Sequence, residues 1–206
     1  MKRDRRQGRG RQPDAEQVVP TAEFNDMLRT VSANVGRVIA DKPADRWGPM
    51  MALFLDAQGK RVQLPVALAE MPEGDAKREM LSSMGKQFAA KGLRIVACFI
   101  MTEAWIKTMT PAEGLRAKSA GIMAPSKYPD RTEAVVIMGR TPDGRANMAM
   151  APIQRGAGGR IGLGPWAHVD CAPEKQGEGF EDNLLAALFA GYLLGMRDRM
   201  GKDATP

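Results

Sequence analysis

The stretch Leu93–Ile106 constrains the chain more than any other. Leu93, Ile95, Ala97, Phe99 and Met101 alternate with Val96, Cys98, Ile100 and Ala104, so an extended chain here is apolar on both faces. Such a strand belongs in the middle of a sheet with material packed above and below it. The rest of the sequence has to supply neighbouring strands and two covering layers.

Helices and strands for that purpose can be read from periodicity. Thr21 offers an N-cap hydroxyl with Glu23 in the first turn, and Phe24, Met27, Leu28, Val31, Val35, Val38 and Ile39 recur on one helical face. The pattern stops near Asp41, ahead of Pro43. Met50–Leu55 and Arg61–Leu68 are apolar runs around the turn-rich Asp56–Lys60 and predict a β-hairpin, with Pro65 assigning the second arm to a sheet edge. Pro72–Lys91 is helical, with Met80, Leu81, Met84 and Phe88 on one face and Gly92 as the stop. Lys107–Thr132 reads as a long connection without an element of its own. Glu133–Arg140 and Arg145–Gln154 form a second hairpin around Thr141-Pro142-Asp143-Gly144. After a turn at Gly156–Gly159, a strand is expected over Ile161–Val169 and a last helix over Phe180–Met200. The order predicts an α+β fold: a mostly antiparallel sheet of about six strands packed with three helices. The expected organisation is a disordered basic arm over residues 1–20, a single domain over 21–200 and a disordered C-terminus over 201–206.

The net charge of +6 is unevenly placed. Lys2, Arg3, Arg5, Arg6, Arg9 and Arg11 stand against Asp4 alone, so five of the six net positive charges fall within residues 1–12. The remainder of the chain is nearly neutral, and attraction to phosphate or to an acidic protein is a property of the arm. Its Arg-Gly-Arg texture suits salt-dependent, sequence-blind contact with nucleic acid, and no aromatic residue interleaves to stack on bases. The arm also reads as a simple solubilising tail. Two cysteines and a charged N-terminus without an apolar leader point to a reducing, cytoplasmic setting.

Catalytic signatures are incomplete. Glu103 and Trp105 end the doubly apolar strand and Glu133 opens the next; antiparallel pairing would bring the two carboxylates together, with Tyr128 and Arg131 nearby. Two carboxylates in a partly dry pocket can separate their pKa values and serve as acid and base. Otherwise Glu133 is a strand-end charge paired with Arg131 or Arg145. His168, Asp170 and Cys171 form a second candidate, His168 and Asp170 sharing a face and Cys171 offering a thiol, but a thiol–imidazole contact needs the chain to turn after Val169. One histidine and two distant cysteines give no metal-ligand spacing. The glycine-rich Gly156–Gly162 lies between strands, not at a helix N-terminus, so no phosphate cradle and no cofactor is expected.

The last helix contains thirteen uncharged residues, Leu184–Met196. They span roughly 20 Å, short of a bilayer core of about 30 Å, so no transmembrane segment is expected. Ala187, Gly191 and Gly195 form a small-residue stripe that admits another backbone, either within the chain or from a second copy in a homodimer. Together these features lead to an expected non-catalytic binding or accessory protein. The alternatives are a small hydrolase or transferase using Glu103/Glu133 or His168/Cys171, and a self-assembling structural subunit.

Overall fold

The computed structural model describes residues 19–40, 49–68, 72, 74–120, 128–156, 161–172 and 184–203. The fold is α+β. Its elements are α1 (Thr21–Ala40), β1 (Met50–Ala57), β2 (Lys60–Ala67), α2 (Asp75–Ala90), β3 (Ile95–Ile106), α3 (Pro111–Ser119), β4 (Thr132–Arg140), β5 (Ala146–Arg155), β6 (Ile161–Leu163), β7 (Ala167–Val169) and α4 (Leu184–Asp203). The strands form one antiparallel sheet in the order β2-β1-β3-β4-β5-β6, with β7 also on β5. The arm up to residue 18, the glycine-rich turn over residues 157–160, residues 180–183 of the last expected helix and the final three residues lie outside the described residues.

The doubly apolar strand is central, but its alternation is interrupted: a register shift opposite Phe54 and Leu55 puts Ile95 in the core with Cys98 and Val96 in the core with Phe99, the reverse of the expected faces. β3 pairs with β1 on one side and β4 on the other. Ala97, Phe99 and Met101 join α1's Phe24, Leu28, Val31 and Ile39 in one core. Cys98 and Ile100 join Leu81 of α2 and Leu185 and Leu188 of α4 in the other. Phe99 is the hub of the first core, its ring 5.7 Å from Phe24 and 5.5 Å, edge-on, from Phe54.

Turn chemistry sets the register of both hairpins. Gln58 and Gly59 both take positive φ, and Ala57 pairs with Lys60, giving a two-residue turn tighter than the five-residue linker expected. Alternation from that turn places Pro65, opposite Ala52, at a position whose nitrogen faces away from β1, so the ladder loses no bond. The second hairpin turns through Pro142-Asp143-Gly144, with the Gly144 N–H on the Thr141 carbonyl (3.1 Å) and Gly144 at φ 92°.

Three further expectations need correction. The connection between β3 and β4 contains a fourth helix, α3, marked by a reciprocal cap: the Thr110 N–H donates to Glu113 Oε2 at 2.7 Å and the Glu113 N–H donates to Thr110 Oγ1 at 3.3 Å. The strand expected over Ile161–Val169 is two short strands, making seven among the described residues. Both run along β5, but their register on it steps by one residue across Gly164-Pro165-Trp166, where Gly164 still donates to the Pro152 carbonyl (2.8 Å) and Pro165 has no N–H to continue. The ordered chain also extends further at both ends: Val19 is buried in the α1 core, and α4 continues to Asp203.

The glycine stripe of α4 is occupied within the chain. A Cβ on Gly191 would lie 2.0 Å from the Ser82 carbonyl oxygen, and one on Gly85 of α2 would lie 2.0 Å from that of Leu188. Gly195 meets Lys86 and Ala89, so the contacts advance in the same direction along both helices and the two run parallel. Tyr192 ties the pair to the sheet: its hydroxyl donates to the Leu93 carbonyl (2.8 Å) and accepts from the Ile95 N–H (3.2 Å). Because the atoms in the way are backbone, Gly191→Ala is expected to destabilise the fold by about 1–3 kcal/mol. Gly114→Ala, with nothing within 4 Å of the new Cβ, should leave stability unchanged or slightly raised. Denaturant unfolding of the two variants checks this.

Candidate functional site

The β3–β4 register decides what meets at the end of the central strand. Trp105 lies directly opposite Glu133, and Glu103 opposite Val135. Glu103 and Glu133 are thus diagonal neighbours on the sheet face that carries α1, and the structure brings the two predicted carboxylates into one cluster. Glu103 and Trp105 are nevertheless exposed, Trp105 by 43%.

The ion pair of Glu133 is not with Arg145. Its partner is Arg155, at the end of β5, whose Nε donates to Oε2 at 3.0 Å and whose Nη2 donates to Oε1 at 2.7 Å. Arg155 escaped the sequence reading, although counting back from the Pro142-Asp143-Gly144 turn puts it on Glu133's face. Arg145 is buried at the other end of the hairpin, held by Asp143 (2.9 Å) and Thr21 (3.4 Å). Arg131 caps Trp105, its guanidinium carbon 4.6 Å from the ring centroid, while its backbone N–H donates to the Tyr128 carbonyl (3.3 Å).

These surroundings raise the Glu103 pKa above its ordinary value of 4.5. Partial burial is the main cause and the Glu133 carboxylate adds to it, with Arg155 acting in opposition. Both oxygens of Glu133 are held by the guanidinium, so a proton-accepting role there would have to break a charge-assisted pair.

Beyond Trp105, β3 runs into α3. Lys107 bonds Asp130, and an open cleft of about 290 Å³ lies between α3 and the return to β4, lined by Met109, Ala117, Ala120 and Tyr128 with Lys107, Glu113 and Arg116 on its charged side. Glu113 is committed to capping α3, and those bonds to Thr110 lower its pKa. Leu115 projects outward, 68% exposed. The Thr110-Pro111-Ala112-Glu113 pattern was the available signal for this helix.

The second candidate does not assemble. His168 is exposed on β7, its ring 6.5 Å from that of Trp166. Asp170, which shares its face, is bonded to Arg29 of α1 and not to the imidazole. Cys171 is buried under α1: its backbone N–H donates to Asn25 Oδ1 (3.0 Å), and Asn25 Nδ2 donates back to its carbonyl (3.3 Å). Burial raises the Cys171 thiol pKa, opposite to what a thiolate nucleophile needs. Among the described residues no hydrogen bond joins His168 to Cys171, and no group of three or more metal-ligating side chains occurs. The basic residues Lys2, Arg3, Arg5, Arg6, Arg9 and Arg11 lie outside the described residues. No helix of the described residues is long and apolar enough to cross a membrane.

Comparisons with protein-family models, with curated proteins and with solved structures find no match to the chain.

Two outcomes follow from the site's electrostatics. A raised carboxyl pKa in the fold means that Glu103 favours the folded state below about 4.5 and loses that contribution as pH climbs through the higher folded value. Glu103→Gln should therefore be more stable than wild type at pH 7 with the gap closing under acid conditions, as denaturant midpoints at the two pH values will show. Cys98 and Cys171 are both buried with raised thiol pKa values, so neither should react with a chromogenic thiol reagent until denaturant is added.

Proposed function

We propose that the protein is a non-catalytic binding or accessory factor whose basic arm attaches it to nucleic acid, while the surface around Trp105 contributes contacts from the folded body. One observation carries the reading: five of the chain's six net positive charges are concentrated in residues 1–12, ahead of a nearly neutral remainder. Cations grouped this way gain from releasing condensed counterions when they meet a phosphate backbone.

The body supports a binding role more than a chemical one. Glu133 is held by Arg155 and Asp170 by Arg29, and burial raises the Cys171 thiol pKa, so three of the candidate groups are poorly placed for acid–base or nucleophilic work. Tryptophan and arginine, by contrast, are both enriched at the energetic centres of interfaces, and here an exposed Trp105 has the Arg131 guanidinium on its face. Two free cysteines fit a reducing, cytoplasmic setting.

The test is fluorescence anisotropy of the full chain with a labelled duplex, and separately with a labelled single strand, over a range of salt. If the arm neutralises phosphates with its net five charges, the logarithm of affinity should fall against that of salt with a slope of about −4 to −5 on the duplex and about −3 to −4 on the single strand. Deleting residues 2–12 should flatten the slope and weaken retention. Affinity that survives the deletion unchanged would remove the reading, and binding only to an acidic polypeptide would redirect it to a protein partner.

A further inference from the structure

We propose that the cleft between α3 and the β3–β4 end is a site for a nucleotide, its base against Tyr128 and its phosphate at Arg116. The inference rests on reading the chain as a nucleic-acid-binding protein and names a second, separate contact within it. Its starting point is the lining. Met109, Ala117, Ala120 and Tyr128 make a mostly apolar hollow containing one aromatic ring, which matches the flat face of a base. About 290 Å³ falls just below the usual range for ligand pockets, roughly 300–1,000 Å³, and suits one small ring system with a charged group.

The charged side of the cleft is resolved by asking which groups are already committed. Lys107 is bonded to Asp130. Glu113 is committed to Thr110 at the start of α3, where it accepts from both the backbone N–H (2.7 Å) and the hydroxyl (2.8 Å). The Arg116 guanidinium has only the general attraction of Glu113, with no ion pair or hydrogen bond of its own among the described residues. It is thus available to an incoming phosphate, which it can grip through two N–H groups.

The helix itself fits the role. α3 carries its own cap and exposes Leu115, and among the described residues it packs little against the other elements. A ligand in the cleft would give it a surface to pack against.

The test is proton–nitrogen NMR of the full chain titrated with adenosine monophosphate, adenosine and inorganic phosphate, each to millimolar concentration. Adenosine monophosphate should shift the amides of Met109, Ala117, Ala120 and Tyr128 saturably, and adenosine and phosphate should each act more weakly. Arg116→Gln should weaken the nucleotide roughly tenfold, and Ala117→Trp, which fills the hollow, should abolish the shifts with the remaining spectrum intact. Replacing the six arm cations with glutamine should leave the cleft response unchanged, so failure of the arm and failure of the cleft are read separately. A single-stranded oligonucleotide that loses affinity in Ala117→Trp identifies the source as a base within a strand; one that does not identifies it as the free nucleotide. The proposal is overturned if the cleft amides do not move, or if Ala117→Trp and Arg116→Gln respond like wild type.

Discussion

Burial of β3 on both faces is the constraint from which the rest of the architecture follows. Residues 95–101 are all buried, and no single layer can cover both sides of a strand. α1 covers one side through Phe24, Leu28 and Ile39; α2 and α4 cover the other through Leu81, Leu185 and Leu188. Beyond Met101 the burial ends, and Glu103 and Trp105 emerge exposed on the α1 face, Trp105 beneath the Arg131 guanidinium. The place where the central strand leaves its two cores is therefore also where the molecule presents its mixed aromatic and charged surface.

A second constraint is polar. Asn25 is the one amide on α1's mostly apolar buried face, and both polar atoms of its side chain are used on the Cys171 backbone as a neighbouring strand would use them. Asn147 of β5 reaches the Phe24 carbonyl (3.2 Å) from the other side. Helix, sheet and the segment after β7 are thereby fixed in register by buried hydrogen bonds, which demand more exact geometry than apolar packing does. The arrangement explains why the chain turns inward after His168 and why the thiol faces the core.

Much of this was legible in the residues. Alternation gave β3 its central position, Pro65 gave β2 its edge, and the period of Phe24 to Ile39 gave α1 its buried face. The glycine stripe announced a close approach, but not that Gly85 of α2 would return it. What stayed hidden depended on register. Glu133 finds Arg155 22 residues away, a partner visible only once the hairpin's pairing is counted out. Gly164-Pro165 looks like an ordinary irregularity in a strand, yet it shifts the pairing by one residue and divides the strand in two. The lysine- and proline-rich texture of Lys107–Thr132 outweighed a capping pattern that needs only Thr110 and Glu113, so α3 read as a loop.

The outward-facing nitrogen of Pro65 also governs how copies of this chain behave toward one another. Val62 and Leu64 are 45% and 41% exposed on β2, and side chains alone would make this rim a template for polymerisation. A strand arriving from solvent would find donors at Arg61, Gln63 and Ala67 but a ring in place of the fourth, and Arg61 brings charge to the same rim. At the opposite rim the broken track of β6 and β7 offers two three-residue pieces out of step with each other. Among the described residues neither border of the sheet presents a straight, regular edge, an arrangement that works against strand-by-strand growth from a margin carrying greasy residues.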